Sequence, residues 1–130
     1  MLRYVYDHIH LVSPDPRGTA MFYMQAFNAK RVAEGKYPDG GTRVELEIEG
    51  TRLLIRSPRS TAQLAEDNPE GRQGLEHFGL RVDNIEAAVT ALKAKGVIFI
   101  KDIQVLMPTG VKIAFVMAPD NVMIEILQKI

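Results

Sequence analysis

With 130 residues, 46% of them hydrophobic and 25% charged, the chain has enough length and apolar content for one compact domain and is too apolar to be largely disordered. Lys plus Arg balance Asp plus Glu at 16 each, so no charge surplus points to nucleic acid or an anionic membrane. The absence of cysteine excludes a disulfide framework, a thiolate nucleophile and a Cys-based zinc site.

The N-terminus lacks the apolar stretch of a secretory signal, and no run approaches the ~20 apolar residues of a membrane span. A cytoplasmic location is the default expectation. In chain order, Tyr4–Val12 reads as a strand. A helix follows, with Asp15 as N-cap, Pro16 at its first position and Asn28 as the left-handed residue that ends it. Phe22, Tyr23 and Phe27 fall at helical positions and are expected in the core. Three strand candidates come next: Lys30–Gly35, Thr42–Glu49 and Thr51–Arg56. Pro58, Pro69, Gly71 and Gly74 mark 57–74 as a linker, with room for a short helix near Ser60–Glu66.

The second half repeats this order. Leu75–Val82 reads as a strand, followed by a helix from Asp83 to about Lys95. Asp83 and Glu86 form a capping-box pattern, and Ile85, Ala88, Val89 and Leu92 share one face. Gly96 suits the helix end. Val97–Ile103, Val111–Ala118 and Val122–Gln128 complete the set. His8 and His77 are 69 positions apart, and the same offset matches Ile9 with Phe78, Leu11 with Leu80, and Asp15 with Asn84. The expected fold is α+β: two βαβββ modules, 1–56 and 75–130, in a single domain of 1–130. Their strands are expected to form a curved, cleft-forming mixed sheet with the helices outside.

Strand alternation sorts the side chains by face. Ile9 and Leu11 oppose His8 and His10; Phe78, Leu80 and Val82 oppose His77, Gly79 and Arg81; Ile124 and Ile126 oppose Met123, Glu125 and Leu127. His8, His77 and Glu125 therefore all lie opposite the most apolar faces, and two imidazoles with one carboxylate make a metal triad with open positions. A two-residue turn at Glu49-Gly50 sets a hairpin register: Ile48 with Thr51, Glu47 with Arg52, Leu46 with Leu53, Glu45 with Leu54, and Arg43 with Arg56. Val44, Leu46, Leu53 and Ile55 then face the helix. Arg43, Glu45, Glu47, Arg52, Leu54 and Arg56 face away, either as a solvated surface or as an anion-recognising cavity rim.

Three stretches resemble the vicinal-oxygen-chelate superfamily of glyoxalases, epimerases, extradiol dioxygenases and fosfomycin or bleomycin resistance proteins. They are Asp7-His8-Ile9-His10-Leu11, Glu76-His77-Phe78-Gly79-Leu80-Arg81-Val82, and Ala118-Pro119-Asp120-Asn121 followed by Ile124-Glu125-Ile126. The resemblance implies His8, His77 and Glu125 as ligands of one divalent ion (Fe, Mn, Ni, Co or Zn). It also implies a small-molecule substrate, possibly anionic, and a homodimer. Glyoxalase-type members carry a fourth ligand where this chain has Leu54, which cannot bind metal; Glu45, across the hairpin, and His10 are the nearby substitutes. The reaction expected is that of a lyase or isomerase. The ion binds two adjacent substrate oxygens and stabilises an enediolate, with Glu45 as the candidate base and His10 as a further catalytic candidate. Arg43, Arg56, Arg81 and Tyr37 are the candidate substrate contacts. The alternatives are Fe(II) extradiol ring cleavage and non-catalytic binding of a small molecule.

Overall fold

The structure, a computed structural model, describes residues 2–59 and 74–130. The short helix expected near Ser60–Glu66 lies outside the described residues. The chain divides into two compact units, Met1–Ala65 and Glu66–Ile130, each holding one module. Module one contains β1 (His8–Val12), α1 (Pro16–Phe27), β2 (Lys30–Lys36), β3 (Thr42–Ile48) and β4 (Thr51–Arg56). Module two contains β5 (Phe78–Arg81), α2 (Ile85–Ala94), β6 (Ile98–Leu106), β7 (Val111–Ala118) and β8 (Val122–Gln128). The α+β order of two βαβββ modules is the one the sequence implies. The eight strands divide into two four-stranded mixed sheets, β1-β4-β3-β2 and β5-β8-β7-β6.

Both helices are set by their ends. The Asp15 carboxylate accepts from the Gly18 N–H at 3.0 Å, and Pro16 occupies a position whose N–H would have no helical partner. A side chain on Gly18 would collide with that capping carboxylate, so glycine is what lets Asp15 reach. Asn28 ends α1 with φ 59°. In α2 the cap is Asn84, not Asp83: its side chain accepts from the Ala87 N–H at 3.0 Å. The Ile85 N–H, which would otherwise be orphaned, donates to Gln128 Oε1 of β8 at 2.7 Å. At the other end Gly96 has φ 80°. The Gly96 N–H donates to the Lys93 carbonyl and the Val97 N–H to that of Leu92, the double bond of a Schellman ending.

Strand β1 begins at His8 rather than Tyr4. It pairs in parallel with β4, which starts at Thr51, and His8 opposite Arg52 is the first residue to find a partner. The β3–β4 hairpin keeps every pair the two-residue turn implies, from Ile48–Thr51 to Arg43–Arg56. Val44, Leu46, Leu53 and Ile55 are accordingly buried, together with Ala20 and Tyr23 of α1. Module two buries Ala114, Val116, Ile124 and Ile126 with Ile85, Val89 and Leu92 of α2. Each fully buried aliphatic chain contributes roughly 1.5–3 kcal/mol relative to exposure. Three register shifts interrupt the ladders, between Arg31 and Ala33 in β2 and, in β6, between Phe99 and Lys101 and between Lys101 and Gln104.

Candidate metal centre and pocket

In module two, β5 runs parallel to β8 with Gly79 beside Glu125. His77 immediately precedes the strand, two residues before Gly79, and so reaches the same face as Glu125. The His77 Nε2 lies 3.8 Å from Glu125 Oε1. That is too long for a hydrogen bond, but near the ~3.0–3.4 Å expected of two ligand atoms each ~2.1 Å from one ion. The other imidazole nitrogen, Nδ1, donates to the Glu76 carboxylate at 2.6 Å. A proton held there leaves the Nε2 lone pair free for a cation, the arrangement by which carboxylates orient metal-binding histidines. The ring packs edge-on against Phe115, 5.2 Å between centroids.

Module one dresses His8 in the same way. Its Nδ1 donates to Asp7 Oδ2 at 2.6 Å, and that bond, chiefly, holds the Asp7 carboxyl below its ordinary range. Asp7 in turn accepts from Arg52 at 3.3 Å. An acidic residue directly before each histidine is the signal the sequence carried for this pairing: Asp7-His8 and Glu76-His77 share the 69-residue offset.

Glu45 sits opposite Leu54, with His10 on the far side of Leu54. It does not point into solvent. Arg52 grips both carboxylate oxygens, at 2.8 and 3.3 Å, and Arg43 donates to Oε1 at 2.7 Å. The Arg52 hydrogen bond is the main reason that the Glu45 carboxyl is pulled below its ordinary range, against a smaller effect of burial. Such a carboxylate stays ionised but accepts protons poorly. Arg56, also buried, donates to Asp39 at 2.6 Å and to the Ser57 carbonyl at 2.8 Å, and lies 4.4 Å over the Tyr37 ring. The Tyr37 hydroxyl and His10 Nε2 are 3.2 Å apart. The His10 and His8 rings are 5.9 Å apart. Burial first, then the positive charge of His8, Arg56, Arg59 and Arg43, pushes His10 below the ordinary histidine value, so its neutral form prevails at pH 7.

The sequence-predicted site residues thus form two groups. His8, His10, Tyr37, Arg43, Glu45 and Arg56 cluster in module one; His77 and Glu125 meet in module two. Arg81 ends β5 opposite Leu127, exposed and outside both clusters. Among the described residues, no three His, Asp or Glu side chains converge as a metal-holding group. Within module two the donor chemistry nonetheless suits a divalent ion: the His77 imidazole, with Nδ1 tied to Glu76, and the Glu125 carboxylate 3.8 Å from its Nε2. Sequence reasoning missed Asp7, Glu76 and Asp39. It also missed a cavity of about 400 Å³ in module two, lined by Glu76, Ile100, Lys101, Phe115 and Met123.

A family model described as the Glyoxalase/Bleomycin resistance protein/Dioxygenase superfamily matches residues 5–126, and the chain belongs to that superfamily. Solved structures with the same fold include a glyoxalase family protein from Enterococcus faecalis, at 21% identity and TM-score 0.80, covering 95% of this chain and 96% of that one. Another is TioX from Micromonospora sp. ML1, at 15% identity and TM-score 0.71, covering 98% and 100%. A third is a mutant of the fosfomycin resistance protein FosX from Listeria monocytogenes, complexed with Mn(II) and 1S,2S-dihydroxypropylphosphonic acid. It shares 17% identity, with TM-score 0.69, covering 96% and 92%. No curated protein matches the chain. No helix among the described residues is long and apolar enough to cross a membrane.

Proposed function

We propose that this protein is a metal-dependent lyase or isomerase acting on a small substrate with two adjacent oxygens, and that His8, His77 and Glu125 hold the ion. The observation that carries this reading is the matched dressing of the two histidines, Asp7 on His8 and Glu76 on His77, each leaving Nε2 free, with Glu125 3.8 Å from the second. The FosX ligand, a vicinal diol on a phosphonate beside Mn(II), supports the substrate class by likeness of fold. A divalent ion bound there supplies positive charge that holds adjacent oxygens and acidifies the neighbouring C–H. His10 is positioned for the proton transfer, on the same strand face as His8 and with the Tyr37 hydroxyl 3.2 Å away to orient its ring. Glu45, clamped by two guanidinium groups, serves to hold Arg43 and Arg52 in place; Arg52 in turn holds Asp7. Ring cleavage of a catechol is the second reading, favoured by the apolar wall of Ile100, Phe115 and Met123 in module two.

Calorimetric titration with Mn(II) tests the ligand set. The expected result is one ion per chain in the wild type. His8→Ala, His77→Ala and Glu125→Ala should each lose binding, and His10→Gln should keep it, all with unchanged circular dichroism. Wild-type affinity in the three alanine variants overturns the assignment.

A further inference from the structure

In module one the connection between β2 and β3, residues 37–41, is fastened to the sheet by a buried guanidinium. Arg56 ends β4 and is only 3% exposed, with Arg43 of β3 on one side and Val12 of β1 on the other. It donates to Asp39 and lies 4.4 Å from the centre of the Tyr37 ring, so it holds the connection at two points. The connection also closes on itself. The Tyr37 N–H donates to the Gly41 carbonyl at 2.8 Å, and the Gly41 N–H to Asp39 Oδ1 at 2.9 Å. Position 41 has no room for a side chain, since a Cβ there would stand 2.7 Å from Arg56 Nη2. Burying a guanidinium carries a desolvation penalty that an apolar residue would not. What the buried charge holds in place is the Tyr37 hydroxyl, 3.2 Å from His10 Nε2 on the face of the sheet turned away from α1. The same face gathers positive charge. Arg43 gives Nη2 to Glu45, and among the described residues its other nitrogens have no partner. Arg59 is exposed and near enough for its charge to act on both His10 and Asp39. Among the described residues, Arg43, Arg56 and Arg59 meet only Asp39 and a Glu45 that Arg52 already grips, which leaves the patch short of negative charge.

We infer that Arg43 and the Tyr37 hydroxyl form an oxyanion site on module one, which takes the carboxylate or phosphate-type end group of a small ligand. Arg43 supplies a planar fork of N–H donors that matches two oxygens of such a group. Arg56 is not a contact: Asp39 and the Ser57 carbonyl occupy it, and its part is to fix the connection and add charge. The neutral His10 ring can donate Nε2–H to the Tyr37 oxygen, and the phenol proton is then turned to the anion. The Tyr37 donor is set before the ligand arrives, which lowers the entropic cost of binding. The site needs no metal, so it stands apart from the reading of His8, His77 and Glu125.

The test follows metal-free protein by proton–nitrogen correlation NMR in chloride-free buffer, titrated with inorganic phosphate and, separately, with acetate. Saturable shifts should be confined to residues 37–43 and the Arg43 side chain. The tighter anion, with a dissociation constant on the order of 1 mM, identifies the end group. Arg43→Gln should weaken binding about tenfold, the loss of a charge-assisted contact, and Arg43→Lys should recover part of it. Tyr37→Phe leaves the charge unchanged and should weaken binding about threefold. A general attraction of anions to a basic surface would not respond to that substitution. No saturable shift in residues 37–43 with either anion overturns the site, and so does an affinity unchanged in Arg43→Gln or in Tyr37→Phe. Because no metal is present, neither result bears on the three-ligand reading, which has its own calorimetric test.

Discussion

Glu45 illustrates how partners decide what a carboxylate can do. By register it lies beside Leu54, as the hairpin implied, but Arg52 and Arg43 consume its oxygens. Its carboxyl is held below its ordinary value of 4.5, chiefly by the Arg52 hydrogen bond. A depressed carboxyl stabilises the fold above its unfolded pKa, and that contribution fades as pH falls through the folded value. Glu45→Gln should therefore lower the melting temperature at pH 7, and the gap to wild type should close as the solution is acidified below 4.5. Melting curves across that range check it; a gap independent of pH would contradict the ion-pair account. The register was legible from Glu49-Gly50 alone. The clamp was not, because strand alternation says which face a side chain takes and nothing about which of several long charged chains will meet on it.

At the scale of elements, most helix and strand positions follow from patterns in the sequence, and the exceptions have local causes. Asp83 and Asn84 are both good caps, and spacing cannot separate them. Asn84 takes the role, with Gln128 satisfying the Ile85 N–H. Asn84→Ala should accordingly cost about 1 kcal/mol, while Asp83→Ala should cost little; urea melts of the two variants distinguish them. A larger loss in Asp83→Ala than in Asn84→Ala would contradict the assignment of Asn84 as the cap. In the module-one core, Leu46→Ala should cost about 2–5 kcal/mol, since it empties a fully buried position on the helix face of β3. Strand β6 runs on to Leu106 rather than ending at Ile103 because its two register shifts, the second between Lys101 and Gln104, break the two-residue period that marks a strand. The pairing of Lys101 with Phe115 was illegible for the same reason: a bulge has no signature in a single sequence.

Over the whole molecule, the internal repeat is the organising fact. Equivalent rows cross the two sheets, His10–Leu54–Glu45–Ala33 in one and Gly79–Glu125–Phe115–Lys101 in the other. The duplicated backbone carries different chemistry in each half: a clamped acid and a histidine in module one, a glutamate and an apolar floor in module two. His8 opens β1, His77 immediately precedes β5 and Glu125 lies on β8, the placements that the repeat and strand parity imply. The carboxylates behind the histidines emerged only with the side-chain geometry. The central claim is that two imidazole Nε2 atoms and one glutamate share a single divalent ion. Pulsed electron paramagnetic resonance of the Mn(II)-loaded protein tests it most directly, because it counts nitrogens coupled to the metal. The account predicts two histidine nitrogens in the wild type, one in either His8→Ala or His77→Ala under enough Mn(II) to retain the ion, and still two in His10→Gln. Bound Mn(II) with no nitrogen coupling, or a count unchanged by both alanine substitutions, would contradict it.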